Sequence, residues 1–382
     1  MAPRHIMIVA GEASGDLLGA GLMRALKHQA GDGLRITGVG GEEMTAEGLN
    51  SLFPMSTLSV MGVFEILPQL RSILRCMKMV EEFVRREKPD VLVTIDSPGF
   101  NHRVAKRLKG VPVRKIHYVA PSVWAYRPGR AKEVAHLYDG LLTLLPFEPS
   151  YFEAHGLRSE FVGHPATTAE RAYTGLPSDW RETHGIGTEK KLLAVLFGSR
   201  RGEVKRLGPI YIEALKTLAD RHPDLHVISP TLPHVRDRVE ELLSVSGVSH
   251  TVLAQADKQH AFHAADIALA TSGTVALELG LAKVPAVIAY RMNALTVVIA
   301  RMLVKVKWAN LINILNDRGV VPELIQEDCS AENIVSELEK LLTGTDNRAA
   351  QVTAGAAAMQ MLTPEDVTPS ERAARFVLEQ GN

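Results

Sequence analysis

The stretch Pro89-Asp90-Val91-Leu92-Val93-Thr94-Ile95-Asp96-Ser97-Pro98-Gly99-Phe100-Asn101 decides the fold class. Its first half is a strand signal, and a helical stretch opens near His102. A carboxylate at the C-terminal edge of a buried parallel strand faces the crevice where open α/β sheets bind ligands. Ser97, Pro98 and Gly99 form a bend that cannot continue the strand, so Asp96 is presented at the rim. Taken alone, a capping or turn-forming Asp would explain the same residues. The neighbouring strand ends decide otherwise.

Outward from this stretch, strand signals recur at Ile6–Ala10, Arg35–Val39, Lys115–Val119, Gly140–Leu145 and Glu160–Val162, with helical periodicity at Leu17–Gln29 and Ile73–Arg86 between them. Such alternation predicts a parallel sheet covered by helices on both faces. A polar, Gly- and Pro-containing break from Gly163 to Ser178 follows, and the boundary is placed after residue 168. The pattern restarts with strands at Lys191–Phe197, Leu225–Ser229, His250–Leu253, Ile267–Ala270 and Ala286–Ala289. Two doubly wound, Rossmann-like domains facing a cleft are the expected architecture, residues 1–168 and 169–364. Thr368-Pro369-Ser370-Glu371 reads as a capping box that opens a last helix, within about residues 365–382, packing back on one domain.

Composition narrows the function. The chain has 382 residues, with 43 Lys and Arg against 43 Asp and Glu, which argues against nucleic-acid binding by bulk positive charge. Cys76 and Cys329 are far apart and lack CxxC spacing, as in a reduced cytosolic protein without disulfides or thiolate metal sites. The run Ile6–Ala10 is too short for a signal peptide, and the apolar segment Val284–Val306 is interrupted by Lys and Arg. No Asp-x-Asp pair and no cluster with metal-ligand spacing occurs, so no metal is expected. His117 and His164 read as structural or substrate-orienting.

Three loops carry chemistry. Gly11-Glu12-Ala13-Ser14-Gly15-Asp16 follows the first strand and lets a ligand approach backbone amides at a helix start, but it lacks the GxGxxG spacing of a dinucleotide site and, taken alone, reads as a structural tight turn. Gly198-Ser199-Arg200-Arg201-Gly202-Glu203 holds the equivalent place in the second domain, and a guanidinium after a Gly-Ser turn suits a diphosphate. Thr271-Ser272-Gly273-Thr274 follows a strand and precedes a helix, with Thr274 in reach of phosphate and Glu278, on the same helix face, in reach of ribose. Two anion-ready loops in one domain favour nucleotide binding over two ordinary helix caps.

The stretch Ser59–Leu67 continues into apolar Leu70, Leu74, Met77 and Val84, interleaved with Arg71, Arg75, Lys78, Arg85 and Arg86. This pattern fits a core helix with a solvated basic face, and equally a helix lying on an anionic membrane. A second apolar, basic segment runs from Tyr290 to Lys307.

Ordered matches along the whole chain resemble one family. They include Val9–Asp16, Ser59–Gly62, Ile95–Asn101, His117–Ala125, Arg127–Arg130, Leu145–Glu148, Phe161–Pro165, Gly198–Arg200, Ser272–Thr274, Asn313–Leu315 and Val321–Gln326. The chain resembles the lipid-A-disaccharide synthases, bacterial glycosyltransferases. The resemblance implies a GT-B fold and transfer from a UDP-linked 2,3-diacylglucosamine to 2,3-diacylglucosamine 1-phosphate. It implies release of UDP, a β-1′,6 bond, and work at the cytoplasmic face of a Gram-negative inner membrane. No cofactor is implied, since the UDP-sugar is a substrate. The expected partners are the acylated glucosamines and the membrane surface, with no nucleic acid; a homodimer is left open.

By position, Asp96 matches the family's essential acidic residue and Arg200 its UDP-contacting arginine. Asn313, Glu323 and Gln326 fall in a nucleotide-side motif. The resulting assignment makes Asp96 the base, with Ser199, Arg200, Ser272, Gly273, Thr274, Glu278, Asn313, Glu323 and Gln326 on the UDP-sugar. Glu12, Ser14 and Asp16 line the acceptor side, and Val60, Met61, Val63, Phe64 and Leu67 meet the membrane. The chain departs from the family pattern at Gly99, Phe197 and Tyr126, where Asp, Pro and Trp are common. Alternatives are a non-hydrolysing UDP-sugar 2-epimerase, another GT-B UDP-sugar transferase, and a binding protein without turnover.

Overall fold

The computed structural model describes residues 4–31, 33–58, 63–168, 175–271, 273–292 and 306–380, with backbone alone for 63–69. The chain divides into two compact units, Met1–Pro165 with Leu362–Asn382, and Ala166–Met361.

The first unit is built on six parallel strands: β1 (His5–Ala10), β2 (Arg35–Val39), β3 (Val91–Ile95), β4 (Arg114–Tyr118), β5 (Gly140–Thr143) and β6 (Ser159–Phe161). Their order is β2-β1-β3-β4-β5-β6. Every residue of β1 is buried, because the sheet is covered on both faces. Ile6, Ile8 and Ala10 pack with Leu22 and Leu26 of the helix Ala13–Ala30. Met7 and Val9 point the other way, to Met77, Val80 and Val84 of the helix Val63–Glu87 and Val104 of the helix Pro98–Arg107. Each such Val, Leu, Ile or Met side chain contributes about 1.5–3 kcal/mol on burial.

The last helix, Pro369–Glu379, is opened by the capping box: the Glu371 amide donates to Thr368 Oγ1 at 3.3 Å, and the Thr368 amide to Glu371 Oε2 at 2.8 Å. It buries Ala373, Ala374, Phe376 and Val377 in the core of the first unit and is pinned by Arg372 to Glu160 at 3.0 Å.

The second unit repeats the plan with β7 (Lys191–Val195), β8 (Leu225–Thr231), β9 (His250–Ala254), β10 (Ile267–Ala270), β11 (Ala286–Tyr290) and β12 (Glu323–Ile325). The order is β12-β11-β10-β7-β8-β9, again all parallel. Its core joins Leu193 and Val195 to Val204, Leu207, Tyr211 and Leu215 of the helix Arg201–Arg221. The Tyr211 hydroxyl, wholly buried, donates to the Ala289 carbonyl at 2.8 Å, so the core carries no unpaired phenol there.

Three local readings change. Strand β12 is only three half-buried residues long at a sheet edge, too short to show a period. The helix after β3 begins at Pro98 rather than near His102, with Pro in its first turn. The bend is therefore carried by Asp96 and Ser97, both left-handed, at φ +49° and +44°. In the helix Val63–Glu87, Met77 and Val84 belong to the core, whereas Leu70 and Leu74 stand 40% and 43% exposed beside exposed Arg71 and Arg75. Among the described residues no helix is long and apolar enough to cross a membrane.

Candidate functional site

In each sheet the strand order reverses once, between β1 and β3 and between β7 and β10. Carboxyl ends of strands at such a switch point splay apart and leave a crevice with free backbone groups. Glu12, Ser14 and Asp96 in the first unit and Ser199, Arg200, Gly273 and Thr274 in the second follow these strands.

In the first unit the ends of β1 and β3 meet. A Cβ on Gly11 would stand 2.5 Å from Ser97 Oγ, so only glycine permits the approach. Ser97 Oγ donates to Glu12 Oε1 at 3.5 Å. Two consecutive left-handed non-glycine residues are strained by about 1–3 kcal/mol each, and persist only where other contacts dictate them. Asn101, fully buried, supplies those contacts: its Nδ2 donates to the carbonyls of Ile95 at 3.1 Å and Asp96 at 2.8 Å. The Asp96 amide also donates to the Tyr118 carbonyl at 2.9 Å. The Asp96 side chain is half-buried at this rim, and Ser14 is exposed beside the half-buried Glu12.

Asp16 requires a correction. It is 3% exposed, and its carboxylate accepts from the amides of Gly41 (2.7 Å), Glu43 (2.9 Å) and Met44 (3.2 Å). These are the orphan donors of the helix Glu42–Ala46, so Asp16 is a helix cap turned into the fold and not an acceptor-side group.

Two buried clusters accompany this rim, and from sequence only His117 of their members stood out, as structural or substrate-orienting. His117 Nδ1 bonds Thr94 Oγ1 at 2.8 Å, its ring stacks on Tyr138 at 4.9 Å, and the Tyr138 hydroxyl bonds His102 Nδ1 at 2.9 Å. Burial, reinforced by Arg130 and Lys106, lowers His102 from 6.5 to about 4, and burial takes His117 well below its ordinary value. Both imidazoles are neutral near pH 7 and act as braces. The signal was the β3–β4 register, which pairs Thr94 with His117 and cannot be seen before strands are aligned. Farther along the same edge, Glu148 accepts from Trp124 Nε1 (3.1 Å) and the amides of Leu144 (3.2 Å) and Leu145 (3.1 Å). Burial raises this carboxyl to about 7, against the lowering effect of those donors.

In the second unit one cavity of about 430 Å³ brings together Ser199, Arg200, Gly273, Thr274 and Glu278. Its loop Gly198–Arg200 is organised by a residue to which sequence analysis gave no role, Glu203. The Glu203 Oε2 accepts from the amides of Ser199 (3.0 Å) and Arg200 (3.2 Å), and Oε1 pairs with Arg200 Nη1 at 3.2 Å. Gly198 sits at φ +106°, and a Cβ there would lie 2.8 Å from that of Glu203, which excludes other residues on two counts. The Arg200 side chain, paired with Glu203, is 61% exposed. Glu278 faces Lys258 of the same cavity, Oε2 to Nζ 2.5 Å. Ser272 lies outside the described residues.

Asn313 and Glu323 are a second correction. Asn313, fully buried, donates to the Val321 carbonyl and Glu323 Oε1 and accepts from the amides of Val320 and Val321. Glu323 further accepts from the amides of Ala309 (2.8 Å) and Asn310 (3.0 Å), ahead of the helix Leu311–Asn316. Asn313 is saturated in knotting that helix to β12, and Glu323 takes part in the same knot while remaining half-buried. Gln326 differs: it is left-handed at φ +59°, and its Nε2 is shut off from solvent with no partner among the described residues.

Val60 and Met61 lie outside the described residues, and of Val63, Phe64 and Leu67 only the helical backbone is described. Among the described residues no group of three or more His, Cys, Asp or Glu is placed to hold a metal ion.

The chain was compared with known proteins. The family model described as lipid-A-disaccharide synthetase matches residues 6–377. A lipid-A-disaccharide synthase from Rhodospirillum centenum is 45% identical over 381 residues, 99% of this chain and 95% of that one. Similar solved folds include a UDP-GlcNAc 2-epimerase from Neisseria meningitidis bound to UDP-GlcNAc (TM-score 0.65, 12% identity, 98% of each chain) and MurG from Acinetobacter baumannii (TM-score 0.57, 14% identity, 99% and 100% of the chains). The two six-stranded parallel sheets have the arrangement of the GT-B fold. By sequence along nearly its whole length, the chain belongs to the lipid-A-disaccharide synthase family.

Proposed function

We propose that the protein is an inverting glycosyltransferase joining UDP-2,3-diacylglucosamine to the 6-hydroxyl of 2,3-diacylglucosamine 1-phosphate, with release of UDP. The observation that carries the reading is the pairing of family membership with the cavity of the second unit, where Ser199, Arg200, Gly273 and Thr274 line one anion-ready pocket. The donor linkage is α and the product β, so one in-line attack suffices. The Asp96 carboxylate accepts the proton of the attacking hydroxyl. UDP leaves as a stabilised anion and needs no protonation by a second carboxylic acid, unlike the leaving group of a glycosidase. Ser199, Arg200 and residues 272–274 meet the charge that develops on the diphosphate, and Glu278 meets the ribose. No metal enters this scheme. Leu70 and Leu74, exposed between Arg71 and Arg75, support seating on an anionic membrane at the cytoplasmic face, where both acylated substrates reside.

The rival reading is suggested by the epimerase neighbours, which share the fold at low identity. Both are tested by incubating the protein with the UDP-sugar in EDTA, with and without the acceptor, and following UDP and lipid product by mass spectrometry. Acceptor-dependent disaccharide is the expected result. Turnover of UDP-sugar without acceptor identifies an epimerase, and binding without turnover overturns the enzyme reading.

A further inference from the structure

The second unit's cavity holds a cation to which neither sequence motif nor proposed chemistry gives a task. Lys258 opens the helix Lys258–Ala264, where a cation opposes the helix dipole, so the position is not explained by helix stability. Its ammonium instead crosses to the helix Val275–Leu281 and pairs with Glu278 Oε2 at 2.5 Å. Both side chains are mostly buried, 24% and 19% exposed, and both line the cavity with Ser199, Arg200 and Thr274. Among the described residues Lys258 is the partner recorded for that carboxylate. A carboxylate on a flexible stem recognises a diol well only when its orientation is already set, because the ordering cost is then not drawn from binding. Lys258 engages one oxygen and leaves the other to accept.

We infer that Lys258 is a positioning residue: by fixing the Glu278 carboxylate it makes the pocket select a ribonucleoside diphosphate over its 2′-deoxy counterpart. The inference rests on the nucleotide reading of this cavity given above. Its consequence is specific, since a cation that merely attracted the diphosphate would strengthen ribo and deoxyribo ligands alike.

The test is calorimetric titration of the full chain, and of Lys258→Met, Lys258→Arg, Glu278→Gln and the Lys258→Met/Glu278→Gln pair, with UDP and with 2′-deoxy-UDP. The wild type is expected to prefer UDP by about tenfold or more, the size of one hydrogen bond to a charged group. Lys258→Met and Glu278→Gln should each collapse that ratio toward one, the double variant no further, and Lys258→Arg should retain most of it. Equal weakening of both ligands in Lys258→Met, with the ratio intact, overturns the positioning role. A wild type that binds neither ligand removes the nucleotide reading itself, which is a different failure. Thermal melts of each variant separate loss of recognition from loss of fold.

Discussion

Replacing Asn101 by Ser should reduce turnover far more than stability. In the intact protein the Asn101 amide bridges the carbonyls of Ile95 and Asp96 and holds two successive residues at φ +49° and +44°. Two hydrogen bonds at about 1 kcal/mol each set the nominal loss at about 2 kcal/mol. At most about 1 kcal/mol of that returns, the strain given up when one of the two left-handed residues relaxes. A net destabilisation of about 1–2 kcal/mol follows, a fall in Tm of about 2–8 °C for a unit of this size. Relaxation swings the Asp96 carboxylate away from its present aim, and a base displaced by about an ångström costs on the order of 100-fold in turnover. The assay is kcat for disaccharide formation beside a thermal melt, for Asn101→Ser, Asp96→Asn and the double variant. Since Asn101 acts through Asp96, the double variant should be no slower than Asp96→Asn alone. Undiminished kcat in Asn101→Ser, or strictly multiplicative losses in the double variant, would refute the reasoning.

Acid should destabilise the first unit. A histidine held below its unfolded value binds its proton less readily when folded, so His102 contributes stability fully above pH 6.5 and loses it as pH falls toward 4. That shift corresponds to about 3 kcal/mol, and urea melts of His102→Gln should show a visibly flatter acid limb than the wild type. Glu148 has the opposite sign: raised to about 7, it favours the fold at low pH and weakens it as pH rises from the ordinary carboxylate range toward 7. Glu148→Gln should therefore flatten the opposing slope in the same melts. Asn313→Ala should cost about 2–4 kcal/mol in chemical denaturation by orphaning the Val320 and Val321 amides, while UDP affinity per folded molecule stays within about twofold; a large affinity loss at unchanged stability would return Asn313 to the nucleotide. Leu70→Ser with Leu74→Ser should lower co-sedimentation with phosphatidylglycerol vesicles and leave the Tm nearly unchanged, as both side chains are exposed; unaltered sedimentation would end the membrane role of this face.

The alternation of apolar runs with helical periods was enough to derive two doubly wound sheets, because buried parallel strands must be apolar along their length and their crossovers amphipathic. The loops at Gly11, Asp96, Gly198 and Gly273 were legible for the same local reason: glycine, hydroxyl and charged residues after a strand have few other uses. What sequence could not decide was the engagement of each polar side chain. Asp16 looks like Ser14, two residues away, yet one caps the helix Glu42–Ala46 and the other faces solvent. Asn313, Glu323 and Gln326 share one motif, but Asn313 is saturated by neighbouring backbone groups and by Glu323; Glu323 accepts from two amides and from Asn313, and only Gln326 of the three has an unpartnered donor among the described residues. The left-handed turn at Asp96 contains no glycine to announce it; the buried Asn101 amide imposes it from the following helix. Glu203 became the organiser of the Arg200 loop, and Lys258 the partner of Glu278, through contacts that depend on where two helices begin. Periodicity is a property of the chain and is written locally, whereas hydrogen-bond partners are chosen among groups that only the packed fold brings within 3 Å.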